Sequence, residues 1–121
     1  MKVIVAGSRT ITDMAIVDRA IREGMAFFKA QPTEIVSGGA AGVDTLGEAW
    51  ARQHGFSVKR FPAQWAKYGK AAGPKRNEEM AAYADALIAV WNGMSRGTSN
   101  MICNARARGL PVFIAHVEAP I

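Results

Sequence analysis

No run of 18 or more apolar residues occurs in the chain, so no segment reads as a membrane-spanning helix. Cysteine is nearly absent. Cys103 stands alone, which excludes an internal disulfide and fits a reduced, cytoplasmic setting. No base accompanies it in sequence, so it reads as a small packed residue rather than a nucleophile. The apolar start, Met1 to Gly7, is too short for a signal peptide. Neither a Gly-Lys-Ser/Thr P-loop nor a G-x-G-x-x-G fingerprint is present, which sets aside two common nucleotide motifs. Outside residues 65–70, no basic stripe with interleaved aromatics marks a nucleic-acid surface.

What is present fits one domain, residues 1–121, with half of its residues hydrophobic and a formal charge of +5. That charge favours polyanionic ligands. The most informative stretch is Ser37-Gly38-Gly39-Ala40-Ala41-Gly42-Val43-Asp44. It follows the apolar pair Ile35-Val36 and opens an amphipathic segment that ends near His54. A Gly-rich turn from strand into helix brings backbone N–H groups and the positive end of a helix dipole to one place, as a bound phosphate requires. Asp44 lies in the first helical turn. It reads either as a dipole-stabilising acid or as a carboxylate for a ribose hydroxyl or a water.

Two further Gly-bearing turns follow strand-like runs. Lys2 to Ala6 leads into Gly7-Ser8-Arg9, where Arg9 offers a planar fork to an anion. Ala86 to Trp91 leads into Asn92-Gly93-Met94-Ser95-Arg96-Gly97-Thr98, with Ser95 or Thr98 as the cap of a last helix. Thr12 is placed to cap a helix from Asp13 to about Ala30, with Val17, Ala20, Ile21, Gly24 and Phe28 as its apolar face. Phe56 to Phe61 alternates as an edge strand, stopped by Pro62. The long connection from Ala63 to Gly73 has the character of a binding loop, with Trp65 as its anchor on the body and Lys67, Tyr68 and Lys70 near a ligand. Pro74 suits the first position of a helix. Lys75, Arg76 and Asn77 then fall where cations oppose the dipole, so Arg76 is assigned an anion. Pro111 to Ala115 forms the last strand, and the tail to Ile121 is loosely held.

The alternation of strands and helices predicts an α/β fold of the Rossmann-like kind. A five-stranded parallel sheet of order 3-2-1-4-5 lies between helical layers. Ligands in such sheets bind at the carboxyl ends of the strands, by the switch point. The turns after strands 1, 2 and 4 converge there.

The set Gly7-Ser8-Arg9, Gly38-Gly39 with Gly42-Val43-Asp44, Gly73 with Arg76-Asn77, and Trp91-Asn92-Gly93 with Ser95 and Gly97-Thr98 resembles the small YspA/YpsA-related branch of the SLOG superfamily. The likeness runs from Lys2 to about Ala115. It implies a Rossmann-like domain, encoded in a bacterium or phage, that binds a nucleotide or a nucleotide-derived ligand. The superfamily includes LOG-type phosphoribohydrolases, the DNA-binding DprA proteins and sensors of nucleotide-derived signals. LOG enzymes carry Pro-Gly-Gly-x-Gly-Thr-x-x-Glu, and here Gly97-Thr98 match while Met101 holds the Glu position. Met101 has no acid or base to offer, so the phosphate-cradling half of the signature stands without its catalytic half.

Three readings follow. The first is a nucleotide sensor or binding module with contacts from Gly7, Ser8, Arg9, Gly38, Gly39, Ala40, Gly42, Asp44, Arg76, Asn77, Asn92, Gly93, Ser95, Gly97 and Thr98. The second is a hydrolase cleaving an N-glycosidic or phosphate bond, with Asp44 as the first candidate acid and Glu48 or Glu78 as replacements. The third is DprA-like DNA binding, which the positive charge alone favours. No metal or further cofactor is implied, and a homo-oligomer is left open.

Overall fold

The computed structural model describes residues 1–118. The end of the tail expected to be loosely held, residues 119–121, lies outside the described residues. Five strands form one all-parallel sheet: β1 (Lys2–Gly7), β2 (Glu34–Ser37), β3 (Ser57–Arg60), β4 (Ala86–Trp91) and β5 (Val112–His116). Their order is β3-β2-β1-β4-β5, the predicted one, with the switch point between β1 and β4. β1 is buried on both faces, which is why its sequence runs apolar without alternation. Val3 and Val5 enter one core and Ile4 and Ala6 the other, as the two-residue period of a strand requires.

α1 (Met14–Phe28) and α2 (Val43–Gln53) cover the first face. α4 (Ala72–Tyr83) and α5 (Arg96–Ala107) cover the second. Between β3 and α4 lie α3 (Trp65–Tyr68) and a 3-10 turn, Gly69–Ala71. No helix among the described residues is long and apolar enough to cross a membrane.

Several boundaries differ from expectation. The cap of α1 is Asp13 rather than Thr12, because the Asp13 carboxylate reaches the Ala15 N–H at 3.0 Å. The same helix ends at Phe28, where Lys29 turns left-handed at φ 54°. α4 starts two residues before Pro74, so Pro74 is its third residue, still among the N–H groups that lack helical partners. Trp65 is not an anchor: it is 53% exposed, on a helix with no buried residue. Cys103 is exposed on α5 rather than packed.

Candidate functional site

Six polar or charged residues are buried among the described residues: Ser8, Ser37, Asp44, Glu48, Asn77 and Thr98. Ser37 ends β2, Ser8 follows β1, and the other four lie in the first two turns of α2, α4 and α5. Buried polar groups are retained where hydrogen bonds satisfy them, and here they gather at the carboxyl edge of the sheet. No buried side-chain nitrogen or oxygen among the described residues lacks a partner.

The β2–α2 turn is held from below. The Ser37 hydroxyl donates to Glu48 Oε2 at 2.6 Å and accepts from the Gly39 N–H at 3.0 Å. Glu48 is 2% exposed and is ion-paired with Arg60 at the end of β3 and with Arg52. Burial pushes its carboxyl up, but the Arg60 and Ser37 hydrogen bonds and the Arg60 and Arg52 charges outweigh this and hold it below the usual range. Asp44, one helical turn earlier, is in the opposite state. Burial pushes its carboxyl up to about 6, against the N–H groups of Ala40 and Gly7 and the Arg76 charge.

The other turns are stitched to this one. The Ser8 hydroxyl accepts from the Asn92 N–H at 3.2 Å, and the Ser8 carbonyl accepts from the Val43 N–H that opens α2 at 3.4 Å. Gly42 has φ 76°, and a side chain there would meet the Arg9 backbone at 2.5 Å. Only glycine lets the β1 loop close on α2 in this way. After β4, Asn92 Oδ1 accepts from Met94 and Ser95 N–H groups. Ser95 caps α5 and takes hydrogen bonds from both the Thr98 N–H and its hydroxyl. Asn77 donates to the Gly97 carbonyl at 3.3 Å and to Asn100 Oδ1 at 2.9 Å.

Above this framework lies a cleft with two lobes. One, of about 220 Å³, is lined by Gly38, Gly39, Ala40, Arg60, Pro62 and Ala63. The other, of about 350 Å³, is lined by Gly73, Pro74, Asn77, Arg96, Gly97 and Asn100. Arg9, Trp65 and Arg76 line both. Among the described residues Arg9 and Arg96 make no side-chain hydrogen bond, and Arg9, Arg76 and Arg96 are in no ion pair. Arg76 spends Nη1 on the Gly38 carbonyl and Nε on Asn77 Oδ1. Burial, chiefly, and the adjacent Arg9 charge lower its affinity for its proton, while Asp44 pulls the other way. Guanidinium groups that line one cleft outside any ion pair among the described residues are suited to phosphate.

The structure thus brings Arg9, Gly38, Gly39, Ala40, Arg76, Asn77 and Gly97 together on the cleft. Ser8, Asp44, Asn92, Ser95 and Thr98 are engaged in holding its turns. Gly7 packs where β1 meets Val90 and Val43, and Gly93 beside His116. Glu78 is exposed on α4. Met101 is 1% exposed within the apolar core under α4 and α5. Sequence reasoning missed Arg60, Arg96 and Asn100, and missed Glu48 as the support of the Gly turn.

Larger grooves lie elsewhere. One of about 560 Å³, beneath Trp50 and Phe56, sits where α1 and α2 end, and one of about 520 Å³ sits between α1 and β5. Neither is lined by a residue of the three Gly-bearing turns, so neither sits where ligands bind in a doubly wound sheet. No group of His, Cys, Asp and Glu among the described residues is placed to hold a metal ion.

A parallel doubly wound sheet with an arginine-bearing cleft over its Gly-rich carboxyl-edge turns defines a Rossmann-like α/β domain. The chain belongs to the YspA, cpYpsA-related SLOG family, whose model matches residues 1–68. It is also similar to the Gene 61 protein of Mycobacterium phage D29, 36% identical over 118 residues, covering 93% of this chain and 94% of that one.

Proposed function

We propose that the cleft binds a nucleotide or nucleotide-derived ligand, with its phosphate between Arg9 and Arg76, and that the protein acts as a binding module or sensor in the cytoplasm. The carrying observation is that pair of cations: both line the two lobes, beside the Gly38–Ala40 turn, and neither is ion-paired among the described residues. Family membership supports a nucleotide-related ligand. The buried polar residues hold the turns through hydrogen bonds, which lowers the ordering cost of binding.

A second reading, hydrolysis, has one observation in its favour: Asp44 is an acid raised to about 6 beside the site, as catalytic acids often are. The geometry favours binding. Asp44 lines neither lobe, and its carboxylate accepts from the Ala40 N–H within the turn. Met101, at the LOG glutamate position, is in the core.

The test is a thermal-shift screen of nucleotides, followed by product analysis of each hit. Arg76→Ala weakens a phosphorylated ligand and leaves its dephosphorylated analogue almost unchanged. Equal loss for both ligands counts against the phosphate role. Release of free base by the unmodified protein, abolished by Asp44→Asn, overturns the binding-only reading.

A further inference from the structure

The cleft is divided, and the division carries information about the ligand. Its lobes, of about 220 and 350 Å³, are each at or below the lower end of the roughly 300–1,000 Å³ usual for small-molecule sites. Three residues line both lobes, Arg9, Trp65 and Arg76, and so lie where the two meet. A ligand confined to one lobe would leave the other filled only with water. A ligand centred on the three shared residues reaches both.

The two lobes differ in chemistry. The larger has Gly73 and Pro74 as a low wall near the Trp65 ring, whose Cη2 lies 3.5 Å from where a Gly73 side chain would start. Arg96 and Asn100 give it a polar margin. The smaller is floored by the Gly38–Ala40 backbone and walled by Pro62 and Ala63. Trp65 itself is a large apolar side chain that folding leaves 53% exposed. An exposed indole among cations is a surface on which a nucleobase stacks.

Resting on the phosphate reading above, we propose that the ligand is two-ended: two groups joined through a phosphodiester or pyrophosphate. The bridging phosphate lies between Arg9 and Arg76, a nucleobase stacks on Trp65 in the larger lobe, and the second group occupies the smaller. Arg76, with Nη1 and Nε committed to Gly38 and Asn77, offers only its remaining edge. Arg9 supplies the other half of the grip.

Isothermal titration calorimetry with AMP, UMP, UDP-glucose and diadenosine diphosphate tests this. The two-ended probes bind about tenfold or more tightly than AMP or UMP, and Trp65→Ala weakens every base-bearing probe about tenfold or more. Trp65→Phe keeps most of the affinity. Ala63→Leu, at a position that lines the smaller lobe and not the larger, removes the advantage of the two-ended probes. Equal affinity for AMP and the two-ended probes, or an advantage that survives Ala63→Leu, overturns the two-ended ligand while the phosphate reading stands. Base-bearing probes unaffected by Trp65→Ala overturn the stacking role. Failure of every phosphorylated probe to bind removes the phosphate reading, and this inference with it.

Discussion

Arg76 donates from Nη1 to the carbonyl of Gly38 at 2.6 Å, joining residues 38 apart in sequence. On the same glycine, a methyl group would meet Arg76 Nη1 at 2.6 Å and Asp44 Oδ2 at 2.8 Å. Gly38 is therefore the point where a cation from α4 and an acid from α2 close on one turn. Both clashing atoms are side-chain ends, so they are displaced rather than the backbone. Gly38→Ala is expected to cost about 1–3 kcal/mol, as overpacking does, and to weaken phosphate binding by displacing the Arg76 guanidinium, by up to the loss seen in Arg76→Ala. Urea denaturation and calorimetry read the two effects. A variant of unchanged stability and affinity would falsify the close-approach argument.

Glu48 is the acid that supports this turn from within. Glu48→Gln keeps its shape and removes the charge that holds Arg60. The loss expected is about 2 kcal/mol, toward the lower part of what a charged hydrogen bond contributes, because the Arg60 side chain is 56% exposed and screened by water. The folded carboxyl lies below its ordinary 4.5. Its contribution is therefore complete above that pH and is lost as the pH falls through the lowered folded value. The variant's stability changes less with acid below pH 4.5 than the parent's. Equal acid sensitivity would show that Glu48 is not the group responsible.

The strand order was readable because β1, β2 and β4 are short apolar runs each closed by a Gly-bearing turn, and a doubly wound parallel sheet places those turns along one edge. Glu48 was harder to see, although a signal was present. It shares the buried stripe of α2 with Asp44, Gly47 and Ala51, and a carboxylate on a buried stripe needs a partner. That partner, Arg60, comes from a different element and cannot be read from spacing. Trp65 was misread because a tryptophan in a loop is usually packed; here α3 is too short to reach the core. Arg96 is one of several surface cations in sequence. Only the fold distinguishes it, by placing it beside Gly97 on the cleft.

Asp44 gives a pH profile of opposite sign. Its folded pKa, about 6, lies above its ordinary 3.8, so between those values the folded protein binds the proton more tightly than the unfolded chain. Stability therefore falls as pH rises through that window. The gap of about two pH units corresponds to a loss on the order of 3 kcal/mol. Asp44→Asn keeps an oxygen to accept from the Ala40 N–H and has no charge to bury. It is expected to match the parent near pH 4 and to exceed it at pH 7 by up to that amount. Denaturation midpoints at pH 4, 5, 6 and 7 decide the matter. Parallel profiles for the two proteins would mean that Asp44 does not titrate in this range.

Restoring the LOG carboxylate tests what α5 can tolerate. Met101 is 1% exposed and packs with Ile4, Ala6, Met80 and Leu87 in the core between the sheet and the α4–α5 pair. An ionised group there has neither water nor a cation, so it neutralises by taking up a proton at a raised pKa. Met101→Glu is expected to lose at least about 3 kcal/mol at pH 8, the scale of an uncompensated buried charge, and distinctly less at pH 5, where the acid is protonated. Met101→Leu, of similar volume, costs under about 1.5 kcal/mol at both. No free base appears from nucleoside monophosphates with either variant, because the new carboxyl faces the core and not the cleft. A Met101→Glu protein whose stability does not depend on pH, or one that releases base, would place residue 101 at the ligand and reopen the LOG-like reaction.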